Sequence, residues 1–324
     1  MEKTVIAIDA SGGDNAPTSV IGGVALAIDD KSIAADILLV GDSEIIEREL
    51  EKANISKTAV SILHAPDIIT PDEVPTTAVR RKKQSSIVVG TKAVKEGTAS
   101  AFVSAGSTGA LLSAATVYIG RAEGIERPAL GVMLPNRSGF TLLIDCGANV
   151  DCKPAYLAQF AQMGSDYMSK IRGIKAPTVG LINIGTESEK GNTLVKEAYP
   201  LLEQAGVNFI GNVEAREVPL GKVDVAVCDA FVGNVLLKYT EGLATGLMGV
   251  IKDELLADPI SKIGALLAKR GFKRVRKRFN HDDVGGAPFL GLKSLVVKAH
   301  GSSNANAIYG AIRQCDYFNK ANVN

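Results

Sequence analysis

Short apolar runs alternate with amphipathic, helix-forming segments along the chain. Runs rich in valine and isoleucine favour strands, and the predicted strands are Thr4–Asp9, Ile37–Val40, Val60–His64, Ala101–Val103, Leu130–Leu134, Thr141–Asp145, Thr178–Ile184, Val223–Asp229 and Ser294–Lys298. The predicted helices between them include Thr18–Ile28, Glu44–Lys52, Thr193–Ala205 and Ala305–Cys315, with another beginning at Pro154. This alternation predicts an α/β fold with a mostly parallel sheet covered on both faces, and ligands at the carboxyl ends of strands.

The segment from Ala101 to Ala115 shows the alternation in its clearest form. Its apolar start leads into a turn of small residues, Ser104–Gly109, and then into a run of helix formers from Ala110 onward. A strand, a glycine turn and a helix start together direct free backbone N–H groups at one point, which attracts phosphate. An ordinary βα loop has a similar composition, so this segment alone leaves both interpretations open.

The stretch from about residue 236 to residue 282 departs from the alternation. It contains no convincing strand and predicts two helices, with a break at Asp258–Pro259 and a hinge at Gly271. A chain of 324 residues is long enough for one large domain or two ordinary ones. We predict a single α/β domain over residues 1–324, with a helical hairpin inserted at about residues 236–282.

Apolar side chains recur at helical spacing in this hairpin, and seven cationic residues with no acidic one fall within Lys269–Arg278. A solvated basic face above a core-packed apolar stripe would explain the pattern. Contact with an anionic membrane, or docking of an acidic carrier protein, would also explain it. The candidate contact residues are Ile263, Leu267, Lys269, Arg270, Lys273 and Arg274.

Composition narrows the functional classes. The formal net charge of +1 argues against a dedicated nucleic-acid-binding protein. The four cysteines lack CxxC spacing, so neither a metal site nor a disulfide framework is indicated. The N-terminus enters a strand without a signal-peptide pattern, and no uncharged apolar run reaches the roughly 18 residues of a membrane span. These features predict a cytoplasmic protein with reduced thiols.

The loops that follow six of the strands differ in charge. They are Asp9–Asn15, Ser104–Gly109, Asp145–Lys153, Gly185–Asn192, Asp229–Asn234 and His300–Asn304. Four of them contain an acidic residue, which would repel a phosphate group. Only Ser104–Gly109 and His300–Asn304 have none, and both are rich in hydroxyl and amide donors. We therefore predict that phosphate binds between these two loops.

Other catalytic patterns are weak or missing. The sequence has no Walker A motif, no GxSxG elbow and no HExxH motif. A Ser–His–Asp triad stays open, because His64, His300 and many serines are present. Cys152 beside Lys153 has the composition of an activated thiol, although such a cysteine is more often passive.

Several segments combine into a specific pattern: Ile6–Asp14, Ala78–Ser86, Ser104–Ala110, Asp145–Pro154, Val179–Glu187, Lys190–Asn192, Gly211–Arg216, Cys228–Lys238 and Lys298–Asn304. On these residues the chain resembles, nearly end to end, the bacterial phosphate acyltransferases, which are the acyl-carrier-protein:phosphate transacylases of phospholipid synthesis. Two positions depart from the usual pattern of that family. Ser11 stands where methionine is usual, and Ser107 stands where asparagine is usual, so an amide donor is lost there.

The resemblance implies a reaction in which a long-chain acyl group moves from acyl carrier protein to inorganic phosphate, giving acyl phosphate without a cofactor. It also implies a homodimer with a three-layer αβα fold similar to isocitrate and isopropylmalate dehydrogenases. A membrane glycerol-3-phosphate acyltransferase would use the product. Peripheral membrane association through the helical hairpin is implied as well, and the basic run Arg80–Lys83 is a further candidate surface for the carrier protein.

The implied chemistry needs no enzymic nucleophile, because phosphate can attack a thioester and a thiolate is a tolerable leaving group. The protein must supply positioning, a clamp for phosphate and oxyanion stabilisation. The expected phosphate-binding residues are Ser104, Gly106, Ser107, Thr108, Gly109, Ser302, Ser303 and Asn304. The candidate catalytic residues are His300, Lys298, Lys153 and Asp9. The expected cleft supports are Gly12, Gly13, Asp14, Asn149, Asp151, Asp229 and Asn234.

Two alternatives belong to other functional classes. A NAD-dependent decarboxylating dehydrogenase of similar fold would need a metal-binding carboxylate cluster, which Asp145, Asp151 and Asp229 could supply. A non-catalytic membrane adaptor would be built around the basic hairpin. Nicotinamide binding distinguishes the first alternative from a transferase, and activity after deletion of the hairpin distinguishes the second.

Overall fold

The computed structural model describes residues 4–278 and 285–321, whose strands form one sheet. The strands are β1 (Val5–Asp9), β2 (Asp36–Gly41), β3 (Ser61–His64), β4 (Ala101–Ser104), β5 (Ala129–Pro135), β6 (Phe140–Ile144), β7 (Thr178–Asn183), β8 (Asn208–Glu214), β9 (Val225–Val227), β10 (Ala287–Leu290) and β11 (Leu295–Lys298). Their order across the sheet is β3-β2-β1-β4-β11-β10-β5-β6-β9-β7-β8.

Helices cover both faces of this sheet. They are α1 (Thr18–Asp29), α2 (Ser43–Lys52), α3 (Pro75–Arg81), α4 (Ser86–Lys95), α5 (Thr108–Tyr118), α6 (Pro154–Arg172), α7 (Thr193–Glu203), α8 (Ala230–Leu255), α9 (Pro259–Arg278) and α10 (Ala305–Lys320). One buried apolar cluster holds α1, α2, α6, α7 and α10 against the sheet, and a second holds α3, α4, α5 and the start of α8.

Alternation along the strands feeds these two clusters. In β1, Ile6 and Ile8 face the first cluster and Ala7 faces the second, as the two-residue period of a strand requires. The predicted three-layer αβα fold with a mostly parallel sheet is therefore confirmed.

The two halves of the sheet run in opposite directions. Strands β3, β2, β1, β4 and β11 pair in parallel, and so do β6, β9, β7 and β8. Between the halves, β10 pairs antiparallel with β11 and β5, and β5 pairs antiparallel with β6. As a result, the six loops compared in the sequence do not share one edge. Those after β1, β4 and β11 leave the sheet in one direction, and those after β6, β7 and β9 leave it in the other.

The halves are also offset along the strand axis, so that strand ends of both halves fall near the middle of the sheet. The register runs through the aligned pairs Lys298–Ala287, Leu290–Ala129 and Gly131–Ile144. When residues are counted along the strand axis through these pairs, the last residue of β11 (Lys298) and the last residue of β6 (Ile144) lie within one residue of the same level. Three inter-strand spacings separate them, or roughly 14 Å.

Polar side chains start six of the helices that pack against the sheet. Each accepts a hydrogen bond from a backbone N–H in the first turn, which satisfies a donor that the helix leaves free. The residues that do so are Asp42, Ser85, Ser107, Asn192, Asp229 and Asn304. Five of these helices (α4, α5, α7, α8 and α10) have no acidic residue in the first turn. Of these, α5 and α10 follow the two loops without acidic residues, Ser104–Gly109 and His300–Asn304.

The sequence interpretation missed several elements. The segment Thr70–Gly90 contains α3 and the start of α4, whose brevity and basic composition hid the helical period. Strand β8 was missed because it is an edge strand with little burial, and β10 because it is four residues long and contains a proline.

The region of the predicted hairpin forms two long helices. The predicted break is confirmed, because α8 ends at Leu255 and Asp258 accepts hydrogen bonds from the first N–H groups of α9. The predicted hinge at Gly271 is wrong, because α9 continues through it. An isolated glycine costs a helix only about 1 kcal/mol. Residues 279–282 of the predicted hairpin lie outside the described residues.

Most of this hairpin has little contact with the rest of the fold. Beyond Leu237 no residue of α8 is buried, and neither is any of Pro259–Val275 in α9. Its apolar side chains are exposed, as at Leu243, Leu247 and Leu266. Across the described residues, no helix combines the length and apolar character that a bilayer crossing demands.

The close packing of α4 on β4 can be tested at Gly90. A Cβ there would lie 2.5 Å from Cζ of Phe102, which is fully buried and has no room to move. Gly90→Ala should therefore lower the free energy of unfolding by about 1–3 kcal/mol in urea denaturation. Gly246→Ala is the matched control, because it is also helical but a Cβ there meets nothing within 4 Å. That variant should be neutral or more stable by up to about 1 kcal/mol. Equal effects at both positions would contradict the packing argument.

Candidate functional site

Three neighbouring strand ends form the base of the site. In the register, Ile8 is paired with Val103, so Asp9 and Ser104 end their strands at the same level. Ser104 is in turn paired with Lys298. The two acid-free loops therefore leave adjacent strands, as their predicted joint role requires, and the Asp9–Asn15 loop lies beside them.

A buried hydrogen bond joins the first two strand ends. Ser104 Oγ donates to Asp9 Oδ2 at 2.6 Å, and Ser104 Oγ accepts from the Gly106 N–H at 3.0 Å. Both residues are about 1% exposed. Burial raises the pKa of Asp9, while donors from Ser104, Ser86 and the backbone oppose that rise. Asp9 and Ser104 thus support the loop from beneath and do not face the open cleft.

Glycines allow the loops to approach one another. A Cβ on Gly12 would collide with Asp9 Oδ2 and lie 2.7 Å from the Gly106 nitrogen. Gly13 has a φ of +101°, in the left-handed region, and a Cβ there would lie 2.9 Å from the Gly301 carbonyl oxygen. The exposed residue Asp14 donates its backbone N–H to that same carbonyl at 2.8 Å. The predicted cleft supports Gly12, Gly13 and Asp14 therefore hold the Asp9–Asn15 loop against the His300–Asn304 loop.

Helices α5 and α10 begin directly after the two acid-free loops, Ser104–Gly109 and His300–Asn304. Ser107 accepts from the Ala110 N–H at 3.4 Å and precedes Thr108 and Gly109, the first residues of α5. Asn304 accepts from the Ala307 N–H at 3.0 Å and precedes α10. Because both helices lack first-turn carboxylates and start from adjacent strands, their dipoles and free N–H groups favour an anion between them.

The His300–Asn304 loop contributes two hydroxyl groups. Ser302 is exposed, whereas Ser303 is only 5% exposed, and within the described part of the chain Ser303 Oγ has no hydrogen-bond partner. An unpaired buried hydroxyl is costly, so a ligand that accepted or donated a hydrogen bond there would be stabilised. The Asn15 amide donates to the carbonyl of Ser302 at 3.2 Å and keeps this loop next to the first.

Lys298 connects the two acid-free loops. Its Nζ donates to the Ala105 carbonyl at 3.2 Å and to the Ala299 carbonyl. Burial lowers the pKa of Lys298 to about 8, while Asp9 opposes the shift. At neutral pH the side chain is therefore mostly a half-buried ammonium at the end of β11, which favours a bound anion.

His300 lies at the mouth of the site and contacts a residue that sequence reasoning missed. Its Nδ1 is 2.8 Å from Ser302 Oγ, and its Nε2 is 3.1 Å from Lys238 Nζ on α8. Partial burial lowers the pKa of His300, and the charge of Lys238 lowers it further. The ring is therefore neutral near pH 7. Lys238 is the last residue of the segment Cys228–Lys238, and nothing local in the sequence marks it as a contact of His300.

The remaining predicted residues form a second group at the ends of β6 and β9. Asp145 accepts five hydrogen bonds, from three backbone N–H groups of its own loop, from the Leu130 N–H and from the Asn149 amide. Asp229 caps α8 with bonds from Phe231 and Val232. Lys153, Asp151 and Asn234 are exposed around this group. It follows strands that run opposite to β4 and β11, so Lys153 is not placed on the loops that carry His300 and Lys298.

This geometry gives little support to a cysteine nucleophile, a metal-binding carboxylate cluster or a Ser–His–Asp triad. Burial raises the pKa of Cys152 to about 12, so its thiol is protonated and a poor nucleophile at neutral pH. Asp145 and Asp229 use their oxygens to stabilise loops, and among the described residues no group of three histidine, cysteine or acidic side chains could hold a metal ion. His64 contacts Ser43 at the surface, and His300 contacts Ser302, without an aspartate partner in either contact.

The predicted membrane or carrier-protein residues are accessible. Ile263 is 63% exposed and Leu267 is 81% exposed, and Lys269, Arg270, Lys273 and Arg274 are exposed on the same helix. These apolar residues therefore do not form a stripe that packs into the core of this chain. In the second basic run, Lys82 pairs with Glu73 at 2.7 Å and Lys83 donates to Tyr118, while Arg80 and Arg81 are exposed.

Known proteins resemble this chain in sequence and in fold. The sequence matches the family described as fatty acid synthesis protein over residues 4–324. It is 49% identical over 310 residues to a phosphate acyltransferase from Clostridium acetobutylicum, which covers 96% of this chain and 93% of the relative. The fold is similar to a phosphotransacetylase from Streptococcus pyogenes (TM-score 0.65, 20% identity, 99% of this chain and 95% of that one). It is also similar to a 4-hydroxythreonine-4-phosphate dehydrogenase from Klebsiella pneumoniae (TM-score 0.56, 12% identity, 97% and 99%).

The hydrogen bond between Ser104 and Asp9 can be tested by its effect on stability. Ser104→Ala removes a donor from a buried carboxylate, so the free energy of unfolding should fall by about 1–3 kcal/mol in urea denaturation at pH 7. Ser188→Ala is the matched control, because that hydroxyl donates to the exposed Glu189 carboxylate at 3.4 Å. The control should change stability by less than about 0.5 kcal/mol. A Ser104→Ala variant as stable as this control would show that the buried contact contributes little.

Proposed function

The chain belongs to the fatty acid synthesis protein family, and from that membership we propose that it is a phosphate acyltransferase that moves an acyl group from acyl carrier protein to inorganic phosphate. The name of its Clostridium acetobutylicum relative supports acyl transfer to phosphate. The observation that carries the proposal is the pair of helix N-termini without acidic residues that follow adjacent strands, with the half-buried ammonium of Lys298 between them. This arrangement suits a small, multiply charged anion.

The reaction needs a positioned nucleophile and little covalent help. A phosphate oxygen attacks the thioester carbonyl carbon, the C–O bond forms, and the C–S bond breaks to release the carrier thiolate, which then takes up a proton. Holding phosphate against the thioester converts an encounter between two molecules into a reaction within one complex, which is a large rate factor. The donors must also stabilise the negative charge that develops on the carbonyl oxygen.

Each loop has a role in this proposal. The N–H groups at the starts of α5 and α10, with Thr108 and Ser303, hold the phosphate oxygens. Lys298 balances the phosphate charge, and His300 faces the thioester at the mouth of the cleft, where its ring contacts the Ser302 hydroxyl. Asp9 and Ser104 act as positioning residues, because both are buried and bonded to each other. The second group around Asp145 and Asp229 fixes the start of α8.

Hydroxylamine trapping tests the proposal directly. Incubation with acyl carrier protein thioester and phosphate should give an acyl phosphate that hydroxylamine converts to a hydroxamate. Lys298→Met should raise KM for phosphate by at least about tenfold, since it removes a charge-assisted contact of more than about 1.4 kcal/mol. Because the pKa of Lys298 is about 8, KM of the unmodified protein should rise as the pH increases through 8.

Two further variants make the test specific to Lys298. Lys298→Arg keeps its charge across this range, so the rise of KM above pH 8 should disappear. Lys95→Met, at an exposed position on α4, should behave like the unmodified protein. If no hydroxamate formed, or if Lys298→Met kept an unchanged KM for phosphate, the proposed site would be wrong.

The exposed hairpin suits a surface that carries the acyl substrate or product. We propose that α9 lies on an anionic membrane, with Ile263 and Leu267 in the interface and the nearby cations on lipid headgroups. This would deliver acyl phosphate to a membrane glycerol-3-phosphate acyltransferase. The acidic carrier protein would meet the exposed Arg80 and Arg81, and a homodimer is proposed from the family resemblance.

Vesicle flotation tests the membrane contact. Replacing both Ile263 and Leu267 with Glu should abolish flotation with phosphatidylglycerol vesicles, because two charges would have to enter the interface. Hydroxamate formation from dissolved substrates should stay within about twofold, since the hairpin tip is remote from the loops. The double variant Lys31→Gln/Lys170→Gln, at exposed sites outside the hairpin, makes the same charge change as a control. Continued flotation of the Ile263/Leu267 variant would rule out this contact.

A further inference from the structure

Lys238 stands where the exposed hairpin joins the body of the fold. It belongs to α8 next to Leu237, the last buried residue of that helix. Its Nζ is 2.9 Å from Glu241 Oε2, one turn further along, and 3.1 Å from His300 Nε2. Glu241 thus fixes the ammonium in front of the histidine ring, and α8 contacts the loop that starts α10.

Hydrogen-bond chemistry decides which nitrogen of His300 carries the proton. An ammonium group can only donate, so Nε2 must accept from Lys238. The neutral ring has one proton, which therefore lies on Nδ1 and is donated to Ser302 Oγ at 2.8 Å. The opposite tautomer would let Nδ1 accept from the Ser302 N–H at 3.3 Å, but it would point the Nε2–H at the Lys238 ammonium.

The charges around the ring keep it neutral. Lys238 and Lys298 disfavour a second proton on His300, and partial burial acts in the same direction. Glu241 and Asp14 are the acidic groups that oppose them, and their effect is smaller than that of burial and Lys238 together. The tautomer is therefore a property of the resting site near neutral pH.

We propose that Lys238 is a positioning residue that sets the tautomer of His300 and thereby directs the hydroxyl hydrogen of Ser302 into the phosphate cleft. With the ring proton on Nδ1, Ser302 Oγ accepts from the ring, so its own hydrogen is free to be donated to a bound anion. Without Lys238 the ring can take the other tautomer and accept the Ser302 donor itself. This inference rests on the proposed function only for its effect on phosphate, because the tautomer itself is a property of the free protein.

Long-range ¹H–¹⁵N NMR of the histidine rings measures the tautomer directly. The chain has three histidines, so the His300 signals can be assigned by their loss in His300→Gln. We expect the unmodified protein to show a protonated Nδ1 and an unprotonated Nε2 at pH 7.5. Lys238→Met should move the proton to Nε2, and Lys238→Arg, which also only donates, should keep it on Nδ1. An unprotonated Nδ1 in the unmodified protein, or an unchanged tautomer in Lys238→Met, would overturn the proposal.

Kinetics then separate this role from a merely structural one. Lys238→Met should raise KM for phosphate on the order of fivefold, the value of one hydrogen bond of about 1 kcal/mol, and Lys238→Arg should restore it. A loss confined to kcat, with KM unchanged, would contradict the effect on Ser302. Failure of the proposed function gives a distinct result: no hydroxamate forms with any variant, while the tautomer still responds to Lys238.

Discussion

The alignment of three parallel strand ends governs the candidate site. Because β1, β4 and β11 are paired in register, Asp9, Ser104 and Lys298 stand side by side where their loops begin. The buried Asp9 carboxylate needs donors, and Ser104 supplies the strongest side-chain one. A shift of one residue between β1 and β4 would separate the buried Asp9 carboxyl group from the Ser104 hydroxyl.

The fold was predictable to the extent that its signals are local. Apolar runs, helix caps and the break before Pro259 are encoded within a few residues of where they act, and comparing loop charge singled out the two loops on β4 and β11. The direction of the second half of the sheet was not predictable in this way, because it depends on how β10 and β5 pair with distant strands. That reversal places Lys153 and Asp151 on a different set of loops from His300.

Contacts between distant segments set the limit for the site residues. Lys238 and His300 are 62 positions apart, and Ser86 reaches Asp9 from the start of α4. Neither residue carries a local mark that separates it from the other lysines and serines of its helix. Residue type and loop position could suggest Ser107, Thr108 and Asn304, whereas the supports that orient them follow from three-dimensional packing.

The half-buried ammonium of Lys298 links the proposed function to stability with opposite signs. Its pKa is about 8 in the folded chain, below the 10.5 of an exposed lysine, so the unfolded chain binds more protons between these values. By proton linkage, this residue makes the fold more stable as the pH rises through that interval. The attraction of Lys298 for an anion weakens as the pH rises through the same interval, because it depends on the proton that folding tends to release. At neutral pH the fold therefore retains a destabilising charge that a bound anion would neutralise, so that anion binding would offset part of the cost of desolvating this ammonium.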